Sequence, residues 1–193
     1  MHDSVDVPAI LEALAAPRFT LAEALEQVPR SPGLYAMHAN ENAWRELKLG
    51  SPTDAGPLYV GKAEKSLHSR DVLTHFRAGK TGTSTLRRSI AALLTNSLDL
   101  VPCPRSSTSA GAFDRFKLEP GGETRLSEWM EQNLSLSVWV KTGDINLNDL
   151  ETTVLQKLQP PLNLSKVSTP WTAKVKSRRR DMAVRTGSWE PGA

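Results

Sequence analysis

Two tripeptides that mirror each other, Gly33-Leu34-Tyr35 and Tyr59-Val60-Gly61, set the tightest limits on this 193-residue chain. They hold its only two tyrosines, and a glycine bounds each short β-prone run. Glycine at such a position lets another backbone or a ligand come close. If the two runs are neighbouring strands, their phenols meet. A phenol can donate to a phosphate oxygen or, with a lowered pKa, accept a proton from water. For one tyrosine an ordinary half-buried strand position is the simpler explanation; two in mirrored settings point to a site.

Around these runs the sequence spells a mixed α+β domain. Residues 8–28 read as one or two short helices with stripes at Ile10, Leu11, Leu14 and at Leu21, Leu25, Val28. Thr20 and Glu23 form a capping-box pattern. Residues 34–37, 58–60 and 136–140 read as strands. Residues 38–57 read as a loop with one helical turn near Trp44, and 98–122 as a long Pro-, Ser- and Gly-rich excursion. Helical stretches are expected over 68–78, after a Ser84 cap, around Leu126–Leu134, and from an Asn148 cap to Leu158 before Pro160-Pro161. The resulting organisation is a helical N-terminal extension (1–30), a core domain (31–165) and a basic tail (166–193).

Cys103 is the single cysteine, which excludes an internal disulfide and a multi-thiolate metal site and fits a reducing, cytoplasmic setting. No apolar run is long enough to span a bilayer, and the acidic start lacks a signal-peptide pattern. Net charge is only +3, but segments 60–90 and 166–193 each carry seven basic against two acidic side chains. Two basic segments on a nearly neutral chain suggest a surface for a polyanion, with a plain solvated face as the simpler alternative.

Glu151 lies within an apolar helical stripe made by Leu147, Leu150, Val154, Leu155 and Leu158. A carboxylate on a packing face is costly unless it is paired or holds a cation; an open oxygen site suits Mg²⁺ or Mn²⁺. The alternative is an ion pair with a nearby arginine or a place at the stripe's edge. The basic run after Gly61 contains Lys62, Lys65, Arg70, Arg77, Arg87 and Arg88. Arginine's planar fork suits phosphate, and Arg87 and Arg88 fall in the first turn of a helix, where anions are favoured.

In this order the residues resemble the GIY-YIG nuclease superfamily. Gly33-Leu34-Tyr35 and Tyr59-Val60-Gly61-Lys62 match its two tripeptides, with Leu34 and Val60 replacing the usual isoleucines. Arg70 matches the arginine of the following helix, His75 its histidine, Glu151 the metal-binding glutamate and Asn163 the asparagine after a Pro-rich turn. The resemblance implies a three-stranded antiparallel sheet flanked by helices. It implies a metal-dependent endonuclease with DNA as partner, one Mg²⁺ or Mn²⁺ on Glu151, and Tyr35, Tyr59, Arg70 and Glu151 as catalytic residues. Lys62, His75 and Asn163 would catalyse or support, while Lys65, Arg77, Arg87, Arg88, Arg178, Arg179 and Arg180 would contact nucleic acid. A binding module of the same fold without activity, or an RNA-directed nuclease, is the alternative. The tripeptides are separated by a longer loop than is usual. Arg70 and His75 are five positions apart, roughly 140° around an α-helix; Asp71, which shares a face with His75, is the other candidate partner for that histidine.

Overall fold

In the computed structural model the described residues are 6–50, 56–69, 75–105 and 115–188. Three strands, β1 (Gly33–Ala39), β2 (Tyr59–Ala63) and β5 (Leu134–Val140), form one antiparallel sheet in the order β2-β1-β5. The sheet and the helices around it give the expected α+β architecture.

The central strand β1 is buried on both faces except at its last residue, because helices cover both sides. Successive side chains of a strand point to opposite faces. Leu34 and Ala36, with Val60, therefore pack against α1 (Val7–Ala15) and α6 (Leu147–Leu158) through Ile10, Leu14, Leu150, Val154 and Leu155. Tyr35 and Met37 join the larger cluster on the other face. There they meet residues of α3 (Glu41–Leu47), α4 (Thr85–Leu93) and α5 (Pro120–Asn133).

In the N-terminal extension α2 (Leu21–Gln27) begins with the expected box: Thr20 Oγ1 accepts from Glu23 N–H, and the Glu23 carboxylate accepts from Thr20 N–H. Phe19 N–H donates to Leu136 O and Leu136 N–H to Phe19 O, so this segment lies along the free edge of β5.

Several local expectations change. The first half of the 38–57 stretch is more than one helical turn: Asn40 caps the two-turn helix α3, which buries Ala43, Trp44 and Leu47, while residues 51–55 lie outside the described residues. The 98–122 stretch contains a short hairpin, β3 (Pro102–Pro104) with β4 (Phe116–Leu118), and the start of α5 at Pro120. Residues 106–114, the middle of that stretch, lie outside the described residues. The cap of α6 is Asn146, whose side chain accepts from Asn148 N–H and Asp149 N–H, rather than Asn148.

The largest change concerns the basic tail. Residues Thr172–Arg185 form a helix, α7, packed on α4. Val175, Arg179 and Met182 recur at i, i+4 and i+7 and are buried, which is the stripe a helix needs to dock on a core. The charges around that stripe hid it. Among the described residues no helix is long and apolar enough to cross a membrane.

Candidate active site

The mirrored tripeptides are explained by the pairing of β1 with β2. In this antiparallel register Tyr35 faces Gly61 and Met37 faces Tyr59. Both tyrosines thus lie on one face as diagonal neighbours, with ring centroids 6.2 Å apart. The glycine is needed for room: a Cβ at Gly61 would lie 2.4 Å from the Tyr35 hydroxyl. Gly33 meets a similar limit against β5, where a Cβ would lie 2.1 Å from Trp139 O.

The Tyr35 hydroxyl is 2.7 Å from His75 Nε2, and His75 Nδ1 is 2.8 Å from Ser84 Oγ. Ser84 is the cap of α4 and also accepts from Arg87 N–H. His75 is fully buried, and its ring lies 5.4 Å from that of Tyr35 and 6.0 Å from that of Tyr59. Three aromatic rings therefore share one cluster. With Nε2 accepting from the phenol, Nδ1–H donates to Ser84, so the chain Tyr35–His75–Ser84 has a consistent direction of donation. His75 thus faces Tyr35. Residues 68–69 and 75–76 have π-helical turns, in which neighbours are five rather than four residues apart. Arg70, the arginine of the motif, and Asp71 lie outside the described residues.

A cleft of about 710 Å³ opens beside the tyrosines, and Tyr35, Tyr59, Gly61, Lys62, Lys65 and Glu151 line it. Glu151 is where the apolar stripe of α6 predicts it, at the cleft wall, and it is paired: Lys166 Nζ donates to Oε2 at 2.6 Å. Lys62 Nζ donates to Glu64 at 2.5 Å. Among the described residues no group of three or more His, Cys, Asp or Glu side chains stands together. An ion on Glu151 would take its other ligands from water and substrate, as Mg²⁺ and Mn²⁺ commonly do. The donor set fits such an ion and not a closed protein cage.

Asn163 works on the backbone. Its Oδ1 accepts from Val60 N–H at 2.9 Å and its Nδ2 donates to Val60 O at 2.8 Å. A side-chain amide offers the same donor and acceptor as a peptide group, so it pairs the outer edge of β2 as a one-residue strand. Tyr59 is fixed next to that clamp.

With this geometry in place, a search against family models matches the GIY-YIG catalytic domain over residues 33–182. The chain belongs to that family. No curated protein and no solved structure matches it. The GIY-YIG match begins at the first glycine of the first tripeptide and runs through most of α7. Membership supports a nuclease-type function acting on nucleic acid.

The cleft gathers Tyr35, Tyr59, Lys62, Lys65 and Glu151, with His75 against Tyr35 and Asn163 behind β2, but the expected nucleic-acid contacts divide. Arg87 is fully buried and cannot reach a ligand. Its guanidinium donates to Glu123 Oε2, Ser127 Oγ, Thr81 Oγ1 and His75 O at 2.9–3.1 Å. Burial pulls its pKa down, and the Glu123 carboxylate opposes that. Arg87 is a structural clamp that also holds the backbone of His75. Arg88 instead lines a second hollow with Arg179 and Arg180. Arg77 is exposed, and Arg178 lines a different hollow beside Asp181. Sequence reasoning missed Lys166 as the partner of Glu151 and Ser84 as the partner of His75. Only the Ser84 cap pattern carried any signal.

Proposed function

We propose that the protein is a metal-dependent endonuclease that hydrolyses DNA phosphodiester bonds in the Tyr35–Tyr59–Glu151 cleft. The observation that carries this is the Tyr35–His75 hydrogen bond of 2.7 Å beside a carboxylate in the same cleft. A pure binding surface has no use for a proton-accepting pair there. Tyr35 orients the attacking water and accepts its proton while passing its own phenolic proton to His75 Nε2. Ser84 and the Arg87 clamp keep the imidazole aimed. Tyr59 and Lys62, with Arg70 from the motif, hold the phosphate and offset charge as it develops. A divalent cation on Glu151, when bound, supplies positive charge to the scissile phosphate and the leaving oxygen.

One observation favours a second reading. Lys166 already sits on Glu151, and such a pair suits a module that binds nucleic acid without cutting it. The test is supercoiled plasmid with Mg²⁺ or Mn²⁺, beside Glu151→Ala and with a structured RNA in parallel. Plasmid nicking that the substitution abolishes supports the endonuclease. Binding without cutting by either protein supports the module, and cutting of the RNA alone moves the substrate to RNA.

A further inference from the structure

On the other side of Tyr59 from the cleft lies a hollow of about 530 Å³. Its walls come from four places: the first turn of α4, the residue before β4, the segment after Asn163, and one side of α7. Five cationic side chains line it, namely Arg88, Arg115, Lys176, Arg179 and Arg180, and among the described residues no carboxylate does. The opposite side of α7 differs. There Lys174, Arg178 and Arg185 share their hollow with Glu46 and Asp181, which is the mixed pattern of a solvated face.

The hollow is also built rather than merely charged. Arg179 is 4% exposed and Arg88 8%, so both guanidinium groups are held by packing. Arg88 Nη1 donates to Thr81 O and Gly82 O at 3.3 and 2.9 Å, which fixes its plane. Thr85, the first residue of the nine-residue α4, is on the wall, so the positive end of the helix adds to the same field. Lys176 and Arg180 are four residues apart on α7 and reach in from its exposed side.

Positioned arginines, a helix N-terminus and no lining carboxylate are the features that select a phosphate. Tyr59 is the residue common to the hollow and the cleft. We propose that the hollow is a second phosphate seat, taking a phosphodiester of the same DNA strand whose scissile phosphate enters the cleft. The strand's path rests on the cleft being the cleavage site; the seat rests on the hollow's own charge and shape.

The test uses the full chain carrying Glu151→Gln, so that DNA is bound without turnover, and a short fluorescein-labelled DNA duplex as probe. Binding is measured by anisotropy over a range of salt for three proteins. These are the parent, the parent with Lys176→Ala and Arg180→Ala, and the parent with Arg45→Ala and Lys157→Ala, which removes two exposed charges elsewhere. Each seated phosphate contributes about 0.9 to the slope of log K against log salt. The hollow variant is expected to bind roughly tenfold more weakly at moderate salt with a slope shallower by about 1, and the control to match the parent. An unchanged slope in the hollow variant, or an equal loss in the control, overturns the seat. Plasmid cleavage by the wild-type protein is followed alongside. A slope loss upholds the seat whether or not the plasmid is cut, and cutting with an unchanged slope overturns the seat alone.

Discussion

Two glutamate–cation pairs of similar length sit in opposite surroundings. Arg87–Glu123, at 2.9 Å, has side chains 0% and 7% exposed, and Glu123 also accepts from Thr81 Oγ1 and Gly79 N–H. Lys166–Glu151, at 2.6 Å, has side chains 29% and 13% exposed, and Lys166 donates to one carboxylate oxygen, Oε2, and to Asn148 Oδ1 at 2.9 Å. The first pair is saturated by fixed protein groups, so its charges have nowhere else to go. In the second, the lysine is a partly exposed point charge on one carboxylate oxygen at the wall of a cleft, where a bound cation would compete with it. One ion pair is buried architecture and the other a partly exposed pair at a cleft wall, although both couple a glutamate to a basic side chain.

The strongest way to break this contrast is Glu123→Ala. Removing one member of a buried pair leaves the other charge uncompensated, and a loss of about 3–5 kcal/mol is expected. Urea unfolding would measure it, and a loss below about 1 kcal/mol would show that Arg87 finds other acceptors.

Glu151→Ala should do the reverse. Cleavage is expected to fall by about 10²–10³-fold, while the unfolding free energy measured in urea changes by no more than about 1 kcal/mol, as for a partly exposed pair. If the variant unfolds as readily as the Glu123 one, the two pairs are alike after all.

His38 sharpens the comparison from a third side, as a buried group only half satisfied. Its Nε2 lies 3.0 Å from Leu14 O and 2.9 Å from Ser137 Oγ, while Nδ1 is buried without a partner among the described residues. Burial first, then the Arg18 charge, lowers its pKa from 6.5 to about 4. The unfolded chain therefore binds the extra proton across that window. Stability should be full above pH 6.5 and fall by about 3 kcal/mol as pH drops towards 4, with no further loss from this group below that. A His38 titration near 6.5 by NMR would refute it.

The smallest effect is expected for Lys166→Met. Stability should shift by less than about 1 kcal/mol, and the Mg²⁺ concentration giving half-maximal cleavage should fall, because one competitor for Glu151 is gone. A higher requirement would mean that Lys166 helps to hold the site rather than guard it.

What could be read from the sequence follows the range of the interactions. The Thr20–Glu23 box, the Tyr-bearing strands and the place of Glu151 on its helix are local patterns, and they hold. Arg87 and Arg88 are neighbours of identical type, and only the packing of α4 against Glu123 on α5 separates a clamp from a hollow-lining residue. His75 is linked to Tyr35 across 40 positions and Lys166 to Glu151 across 15; no spacing rule reaches either. The stripe of α7 was present but carried an arginine in its middle, so hydrophobic periodicity alone passed over it.

The clamp of Asn163 on Val60 has a consequence for assembly. A bare outer strand invites another chain to extend the sheet, yet here both margins are already occupied, β2 at Val60 by Asn163 and β5 at Leu136 by Phe19. At those two positions another chain could not add a strand, so a second copy, were one to pair with this one, would meet it more readily through helices or loops.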